Sequence, residues 1–194
     1  MLPISIFGVI CIHRTAVKQM CCWKIHMAYA SRMCMYSKSL QQPKYRYLKN
    51  LLAPIEEISY FTFSNNSDVV LSNEALPNSI FIFDGMACDK QDAIREYFAM
   101  GGYTDINCFY LCQTYAKIPK HLIHDNANLL ILFKQNGTNL KHVYNDVNTD
   151  MSYEDFCEPH RCCWQQKYGF VVIDKDSAFT NGRYRKGFNE FAIL

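Results

Sequence analysis

The chain has 194 residues, of which 49% are hydrophobic and 20% are charged, and its formal net charge is +2. This length and composition suit one globular domain with a real core, and they exclude a disordered or a collagen-like chain. A net charge this small gives no sign of nucleic-acid binding, so any contact with DNA must come from a local cluster of basic residues.

The cysteines and the first residues bear on the compartment. The ten cysteines follow no regular spacing, and several lie in apolar runs, where a free thiol behaves as a small hydrophobe. We therefore expect an intracellular protein, in cytoplasm or nucleus, rather than a disulfide-rich secreted one. The apolar segment 2–12 is too short to cross a membrane and lacks the basic start of a signal peptide, so a buried strand is expected there and no membrane association.

Residues 1–35 differ in composition from the rest of the chain. They hold four of the ten cysteines and no acidic residue, and they contain no clear turn signal. From Tyr36 onward, apolar runs of strand length alternate with helical patterns. We predict a divergent N-terminal segment at 1–35 and a regular domain at 36–194.

The first predicted elements are taken in chain order. Pro43 suits the first position of a helix, and the apolar residues after it recur at helical spacing until Pro54 ends the segment. Segment 58–63 is typical of a strand. Segment 79–84 is apolar until its last residue, a carboxylate, which is typical of a strand buried on both faces of a parallel sheet.

The second half continues the alternation. Asp89 as N-cap and Gly101 as terminator predict a helix between them. Further buried strands are predicted at 108–112, 129–133 and 169–174. Short helices are predicted at 139–144 and 152–157. Buried strands that alternate with helices predict an α/β fold with a mostly parallel sheet.

Two polar residues lie at strand ends of this predicted sheet. Asp84 ends one strand, and Gln113 comes directly after another. Ligands of open parallel sheets bind beyond the carboxyl ends of the strands, where a carboxylate can hold Mg²⁺ and a glutamine can orient water or sense a terminal phosphate. The pattern alone leaves open that Asp84 caps a turn and that Gln113 satisfies backbone groups.

Five stretches resemble the DNA-packaging ATPases of Polinton (Maverick) transposons and large DNA viruses, relatives of the poxvirus packaging ATPase in the FtsK–HerA branch of P-loop NTPases. They are YSKSLQQPKY (36–45), IFIFD (80–84), DKQDAIREYFAMG (89–101), CFYLCQTY (108–115) and KYGFVVIDKD (167–176). The resemblance implies a three-layer P-loop-NTPase-like domain, Mg²⁺ and ATP as cofactors, and a homo-oligomeric ring that moves double-stranded DNA. It matches Asp84 to the Walker B aspartate, which holds Mg²⁺, and Gln113 to the polar sensor of the γ-phosphate.

The sequence departs from that family at positions that carry catalysis. It contains no Gly-Lys pair, and Gly8 is its only glycine before Gly85, so the phosphate-loop unit is missing or altered. Gly85 stands where the family carries a second acidic residue, and Gly102 stands where relatives carry an arginine. We expect a degenerate or truncated copy that does not hydrolyse ATP, with no nucleotide bound productively. The alternatives are a residual ATPase motor and a non-catalytic module that binds packaging rings or DNA.

A basic cluster near the end of the chain could contact nucleic acid. Arg183, Arg185 and Lys186 come after the Asn181-Gly182 turn signal and are interleaved with an aromatic residue, a combination suited to phosphate and base contacts. The alternative is a solvated β-hairpin.

A second cluster contains residue types that bind zinc. Cys157, His160, Cys162 and Cys163 lie close together in the sequence, but their spacing matches no two-pair zinc finger. We therefore expect partly buried thiols at a helix end and no zinc. Pro159, within this cluster, is expected to end its helix early, although Ser152 and Asp155 start that helix as a capping box.

Overall fold

The structure is a computed structural model, and it describes residues 6–11, 30–64, 69–85, 92–99, 105–118, 126–147, 151–178, 182–188 and 190–191. Its strands and helices are, in chain order, β1 (Phe7–Cys11), β2 (Arg32–Ser37), α1 (Pro43–Leu52), β3 (Ser59–Phe63), β4 (Ser79–Asp84), α2 (Asp92–Ala99), β5 (Ile106–Cys112), β6 (Leu129–Phe133), α3 (Gly137–Asp146), α4 (Tyr153–Gln165), β7 (Phe170–Asp174), β8 (Tyr184–Lys186) and β9 (Glu190–Phe191). The predicted alternation of strands and helices is confirmed.

The chain divides into two compact units. One comprises the described residues within Met1–Phe7 and Val17–Leu111, and the other those within Gly8–Ala16 and Cys112–Leu194. The predicted division after residue 35 falls inside β2. Because residues 12–29 lie outside the described part, a separate N-terminal segment stays a prediction.

The first unit is built on parallel strands in the order β3-β2-β4-β5. One face of β2 and β4 is aromatic: the ring of Tyr36 stacks at 4.7 Å on Phe63 and at 5.1 Å on Phe83. Tyr97 of α2 packs on the same face, 4.6 Å from Phe81 between ring centroids. Helix α2 therefore covers this face and buries its aromatic side chains.

The other face of the same strands is aliphatic and ends in polar residues. Met35 and Ile82 are register partners, and both are fully buried. Successive side chains alternate between faces, so Ser37 and Asp84, two residues further on, end this same face. Tyr45 of α1 contacts both of them. Helices α1 and α2 consequently lie on opposite faces of the parallel strands.

The second unit has strands in the order β1-β6-β7-β8-β9. Strands β1 and β6 pair in parallel, whereas the remaining pairs are antiparallel. Phe156 of α4 packs with ring centroids 5.4 Å from Tyr144 of α3 and 6.0 Å from Tyr184 of β8. Trp164 of α4 donates its indole N–H to the carbonyl of Leu132 at 3.2 Å, which fastens the helix to β6.

Strand β7 is an antiparallel member of the predicted, mostly parallel sheet. It runs antiparallel to β6. Two helices, α3 and α4, connect β6 to β7, whereas a parallel crossover of the usual kind uses one helix. Each helix reverses the direction of the chain, so a second helix brings the next strand back antiparallel.

The end of α4 corrects one sequence-based expectation. Pro159 was expected to end the helix, and the helix continues to Gln165. A proline removes the hydrogen bond to the carbonyl of the fourth preceding residue, Asp155, which is exposed near the helix start. On both sides of the proline the helix buries apolar side chains, Phe156 before it and Cys163 after it. This burial keeps the helix continuous.

The remaining expectations hold where the structure describes them. Ser152 caps α4 by accepting a hydrogen bond from the backbone N–H of Asp155 at 3.1 Å, as the capping box predicted. Gly182 has a φ of 90°, as its turn signal required. Asp89 and Gly101, predicted to bound α2, lie outside the described residues. The described part of the chain contains no helix that is long and apolar enough to cross a membrane.

Candidate functional site at the end of β4

Asp84 and Ser37 form the base of the candidate site. They are register partners at the carboxyl ends of β4 and β2, so their side chains lie on one face of the sheet. Ser37 is buried, and its Oγ accepts a hydrogen bond from the backbone N–H of Ser39 at 3.2 Å. This bond turns the chain away from the sheet directly after β2, into the connection that leads to α1.

The first turn of α1 brings two side chains to Asp84. Pro43 starts the helix, where its fixed φ and missing N–H carry no penalty. Lys44 is next, and its Nζ lies 2.7 Å from Oδ2 of Asp84. The hydroxyl of Tyr45 contacts the same oxygen. The Lys44 ammonium also lies 4.7 Å from the centroid of the Tyr45 ring, which adds a cation–π attraction.

The hydroxyl of Tyr45 links Asp84 to Ser37. It lies 2.7 Å from the Ser37 Oγ. Tyrosine has a single hydroxyl proton, and an ionised carboxylate can only accept, so this proton goes to Asp84 and the Ser37 hydroxyl donates to the tyrosine oxygen. Burial, and then the charge of Asp84, raise the pKa of Tyr45 far above its ordinary value. The hydroxyl therefore stays protonated and remains a donor.

The contacts at Oδ2 of Asp84 would compete with a Mg²⁺ ion for this oxygen. Oδ2 already receives an ammonium and a hydroxyl, whereas Mg²⁺ requires octahedral oxygen ligation with little distortion. The next residue, Gly85, brings no second carboxylate. No group of three or more His, Cys, Asp or Glu residues within the described ranges is arranged to hold a metal ion.

The backbone conformation at position 85, rather than a lack of space, favours a glycine there. Its φ is +69°, in the left-handed region, and a Cβ built there would meet no atom within 4 Å. Its N–H points to the carbonyl of Leu111 at 3.4 Å. A side chain at this position would thus be strained by the backbone although space for it exists.

Gln113 belongs to the second unit, whereas Asp84 belongs to the first. Leu111 is the register partner of Asp84, and Gln113 comes after Leu111 and Cys112 along the chain. The side chain of Gln113 is exposed. A joint role for Gln113 and Asp84 stays a prediction.

The basic cluster is engaged in contacts within its own hairpin. Arg185 forms an ion pair with Asp174, with Nη2 and Oδ2 2.7 Å apart. Arg183 donates to the carbonyls of Ser177 at 3.0 Å and of Lys175 at 3.4 Å. Carbonyls are neutral, so the charge of Arg183 is held in place but not cancelled, whereas that of Arg185 is offset by a carboxylate.

The Cys/His cluster lies on α4, where its members face different ways. Cys157, His160 and Cys163 are buried, and Cys162 is exposed. The Nδ1–H of His160 donates to the carbonyl of Phe156 at 2.6 Å. Its Nε2 has no hydrogen-bond partner among the described residues. Burial lowers the pKa of His160 to about 4, so the ring is neutral and serves as part of the core.

Sequence reasoning identified Asp84 and missed its partners. Ser37, Lys44 and Tyr45 all lie in the stretch 36–45 that carried the family resemblance, but nothing assigned them a role. A usable signal was present. A parallel strand with a short connection to a proline-started helix returns the first helical residues to the carboxyl end of the strands, where Asp84 was already expected.

Comparison with known proteins shows the fold. No protein-family profile and no curated protein matches the sequence. Among solved structures, the chain is similar to the genome packaging NTPase B204 from Sulfolobus turreted icosahedral virus 2 in complex with AMP, with a TM-score of 0.63, 11% identity and 100% of both chains covered. The same NTPase in complex with ATP-gammaS is similar with a TM-score of 0.61 and 12% identity, and the match covers 99% of this chain and 100% of the other.

The DNA-packaging ATPase B204 from Sulfolobus Turreted Icosahedral Virus gives a TM-score of 0.58 at 14% identity, over 91% of this chain and 95% of the other. These similarities confirm an α/β, P-loop-NTPase-like fold with mostly parallel strand pairing, of the kind found in viral DNA-packaging ATPases.

Proposed function

We propose that this chain is a catalytically inactive counterpart of viral and transposon DNA-packaging ATPases, of the Polinton and FtsK–HerA kind. The likeness of fold to genome-packaging NTPases over nearly the whole of both chains supports the ancestry. In this proposal Asp84 occupies the place of the Walker B aspartate, and Gln113 that of the sensor. Mg²⁺ and ATP are not bound productively, and any assembly would be a homo-oligomeric ring around double-stranded DNA.

The observation that carries the proposal is the engagement of Asp84. Phosphoryl transfer needs a metal ion bridging phosphate oxygens and preorganised donors around the phosphates. Here the carboxylate at the end of β4 is held by Lys44 and Tyr45, and Gly85 supplies no general base. The sequence also has no Gly-Lys pair to form a phosphate loop. Each of these features opposes hydrolysis independently.

Steady-state release of phosphate from Mg-ATP tests the proposal, with and without double-stranded DNA because packaging motors act on it. We expect no release above that of buffer in either condition. The matched control is Asp84→Ala, which removes the carboxylate. Turnover by the wild-type protein that Asp84→Ala abolishes would show that the site is catalytic, and the proposal would be wrong.

A second candidate function is a module that binds DNA without hydrolysis. It is favoured by the uncancelled charge of Arg183, which the carbonyls of Ser177 and Lys175 hold in one orientation. Anisotropy of labelled double-stranded DNA should then respond more to Arg183→Gln than to Arg185→Gln, whose charge Asp174 offsets. Equal effects of the two substitutions, or none, would remove this candidate.

A further inference from the structure

We propose that the ammonium of Lys44 is the resident cation of the Asp84 site and that it excludes a divalent metal from it. This inference rests on the proposed function, because it identifies what has taken the position of the metal in an NTPase fold. It makes Lys44 the residue that determines the ion specificity of the site. A site of this kind needs no metal to neutralise its carboxylate.

The geometry places the charge of Lys44 where a metal's charge would act. Nζ lies 2.7 Å from Oδ2 of Asp84, a distance typical of a strong charge-assisted hydrogen bond. A divalent ion bound to this oxygen would lie a few ångströms from the ammonium. Charges of the same sign repel at such a separation even in water, and the repulsion grows with the metal's double charge and in a less polar environment.

Two contacts keep Lys44 beside Asp84. The side chain rises from the first turn of α1, whose position Tyr45 fixes through its buried hydroxyl. The ammonium also lies over the Tyr45 ring at 4.7 Å. The side chains of Lys44 and Asp84 are only 21% and 19% exposed, so water screens the pair incompletely. Lys44 is thus held in place as part of the site and does not behave as a freely moving surface charge.

Removal of the ammonium should open Asp84 to a metal. The substitution Lys44→Met keeps the apolar stem and deletes the charge, and Lys44→Gln is a second variant with a polar end. Manganese(II) is the probe, because its paramagnetism broadens the amide signals of nearby residues even when it binds weakly. The reporter is the amide of Gly85, next to Asp84, in labelled full-length protein. Lys49→Met, in the last turn of the same helix, is the matched control.

The wild-type protein and Lys49→Met should need about tenfold more manganese than Lys44→Met or Lys44→Gln to broaden the Gly85 signal. Adding Asp84→Asn to Lys44→Met should restore the wild-type response. The inference is overturned if wild type and both Lys44 variants respond at the same concentration, if neither variant gains a response, or if the gain survives Asp84→Asn.

Phosphate release measured on the same wild-type sample separates this inference from the proposed function. Asp84-dependent manganese binding by wild type without ATP turnover overturns the role of Lys44 and leaves the proposed function intact. ATP turnover without Asp84-dependent manganese binding would overturn the proposed function and leave the role of Lys44 intact.

Discussion

Ser37 and Asp84 end two neighbouring parallel strands as register partners, and the hydroxyl of Tyr45 bridges their side chains. This bridge joins β2, β4 and α1 at one point of the first unit. It combines a structural role with a functional one, because the same hydroxyl that fixes the helix also occupies an oxygen of the carboxylate expected to bind metal.

Loss of the bridging hydroxyl should destabilise the protein. Tyr45→Phe keeps the buried ring but removes the acceptor of the Ser37 hydroxyl and one of the two donors to Oδ2 of Asp84, and we expect the free energy of unfolding to fall by about 1–2 kcal/mol. Urea denaturation measures this change. Tyr47→Phe, on an exposed ring of the same helix, should lower stability by less than Tyr45→Phe does, because a hydroxyl that water can reach loses little when its partner is removed. In a Ser37→Ala background the effect of Tyr45→Phe should shrink; an undiminished effect would show that the two hydroxyls are not coupled.

The buried neutral ring of His160 should make stability depend on pH. Its pKa is about 4 in the folded protein, against 6.5 for an exposed histidine. Below pH 6.5 the unfolded chain binds a proton that the folded chain does not, so stability is complete above pH 6.5 and falls as the pH drops towards 4. The loss from this group is on the order of 3 kcal/mol.

Urea unfolding at several pH values tests this dependence. His160→Leu should remove this part of the acid sensitivity, whereas His142→Gln, at an exposed position on α3, should retain it. If His160→Leu and wild type lose stability in parallel between pH 6.5 and 4, the histidine is not buried in its neutral form.

Pro159 interrupts the hydrogen bonds of α4 without ending it, so its replacement should strengthen the helix. Pro159→Ala restores a donor for the carbonyl of Asp155, and an interior proline costs a helix about 3 kcal/mol. The greater freedom of the unfolded chain offsets part of this gain. We expect a net increase of about 1 kcal/mol in the free energy of unfolding by denaturant titration. A decrease would mean that a kink at the proline is needed to pack Phe156 and Cys163.

Cys11 and Cys112 should form a disulfide under oxidation. Their Sγ atoms lie 3.0 Å apart, and Cys112, which is half-buried, is the accessible partner. Burial raises the pKa of the Cys11 thiol, so Cys112 adds to the oxidant first, and the sulfur of Cys11 then loses its proton, attacks the Cys112 sulfur and displaces the reduced oxidant. A diazenedicarboxamide oxidant would accept the two electrons and two protons that the thiols release.

Peptide mapping after oxidation should find this bond in wild type and in Cys162→Ser, whose thiol is exposed on α4, but not in Cys112→Ser. Recovery of both thiols unoxidised in wild type would mean that the two sulfurs do not meet in solution.

The sequence predicted the strands well because burial on both faces leaves a clear pattern. The run ending at Asp84 is apolar at every inner position, and β4 has the predicted bounds. The direction of β7 was not predictable from its own residues, since an apolar run has the same pattern in a parallel and in an antiparallel strand. The direction depends on the second helix of the connection between β6 and β7. The prediction that Pro159 ends α4 was wrong for a related reason. It considered the loss of one hydrogen bond, and the burial of side chains along the whole helix outweighs that loss.

The candidate site was predicted in part. The carboxylate of Asp84 at a strand end indicated where a ligand site would lie, and the family resemblance assigned Asp84 the role of the Walker B aspartate. Lys44 and Tyr45 could not be assigned, because their contact with Asp84 depends on how the connection after Ser37 turns and on where α1 begins. The pairing of Arg185 with Asp174 likewise required the register of β7 and β8. Composition and spacing contain no information on such long-range pairings.

The proposed lack of ATP hydrolysis by this chain follows from the engagement of the Asp84 carboxylate by Lys44 and Tyr45. Its most direct test is a single-turnover assay, in which labelled ATP with Mg²⁺ is incubated with an excess of protein so that even very slow cleavage is detected. Wild type and Asp84→Asn should both release γ-phosphate at the same rate as buffer. Cleavage by wild type that exceeds buffer and disappears in Asp84→Asn would contradict it.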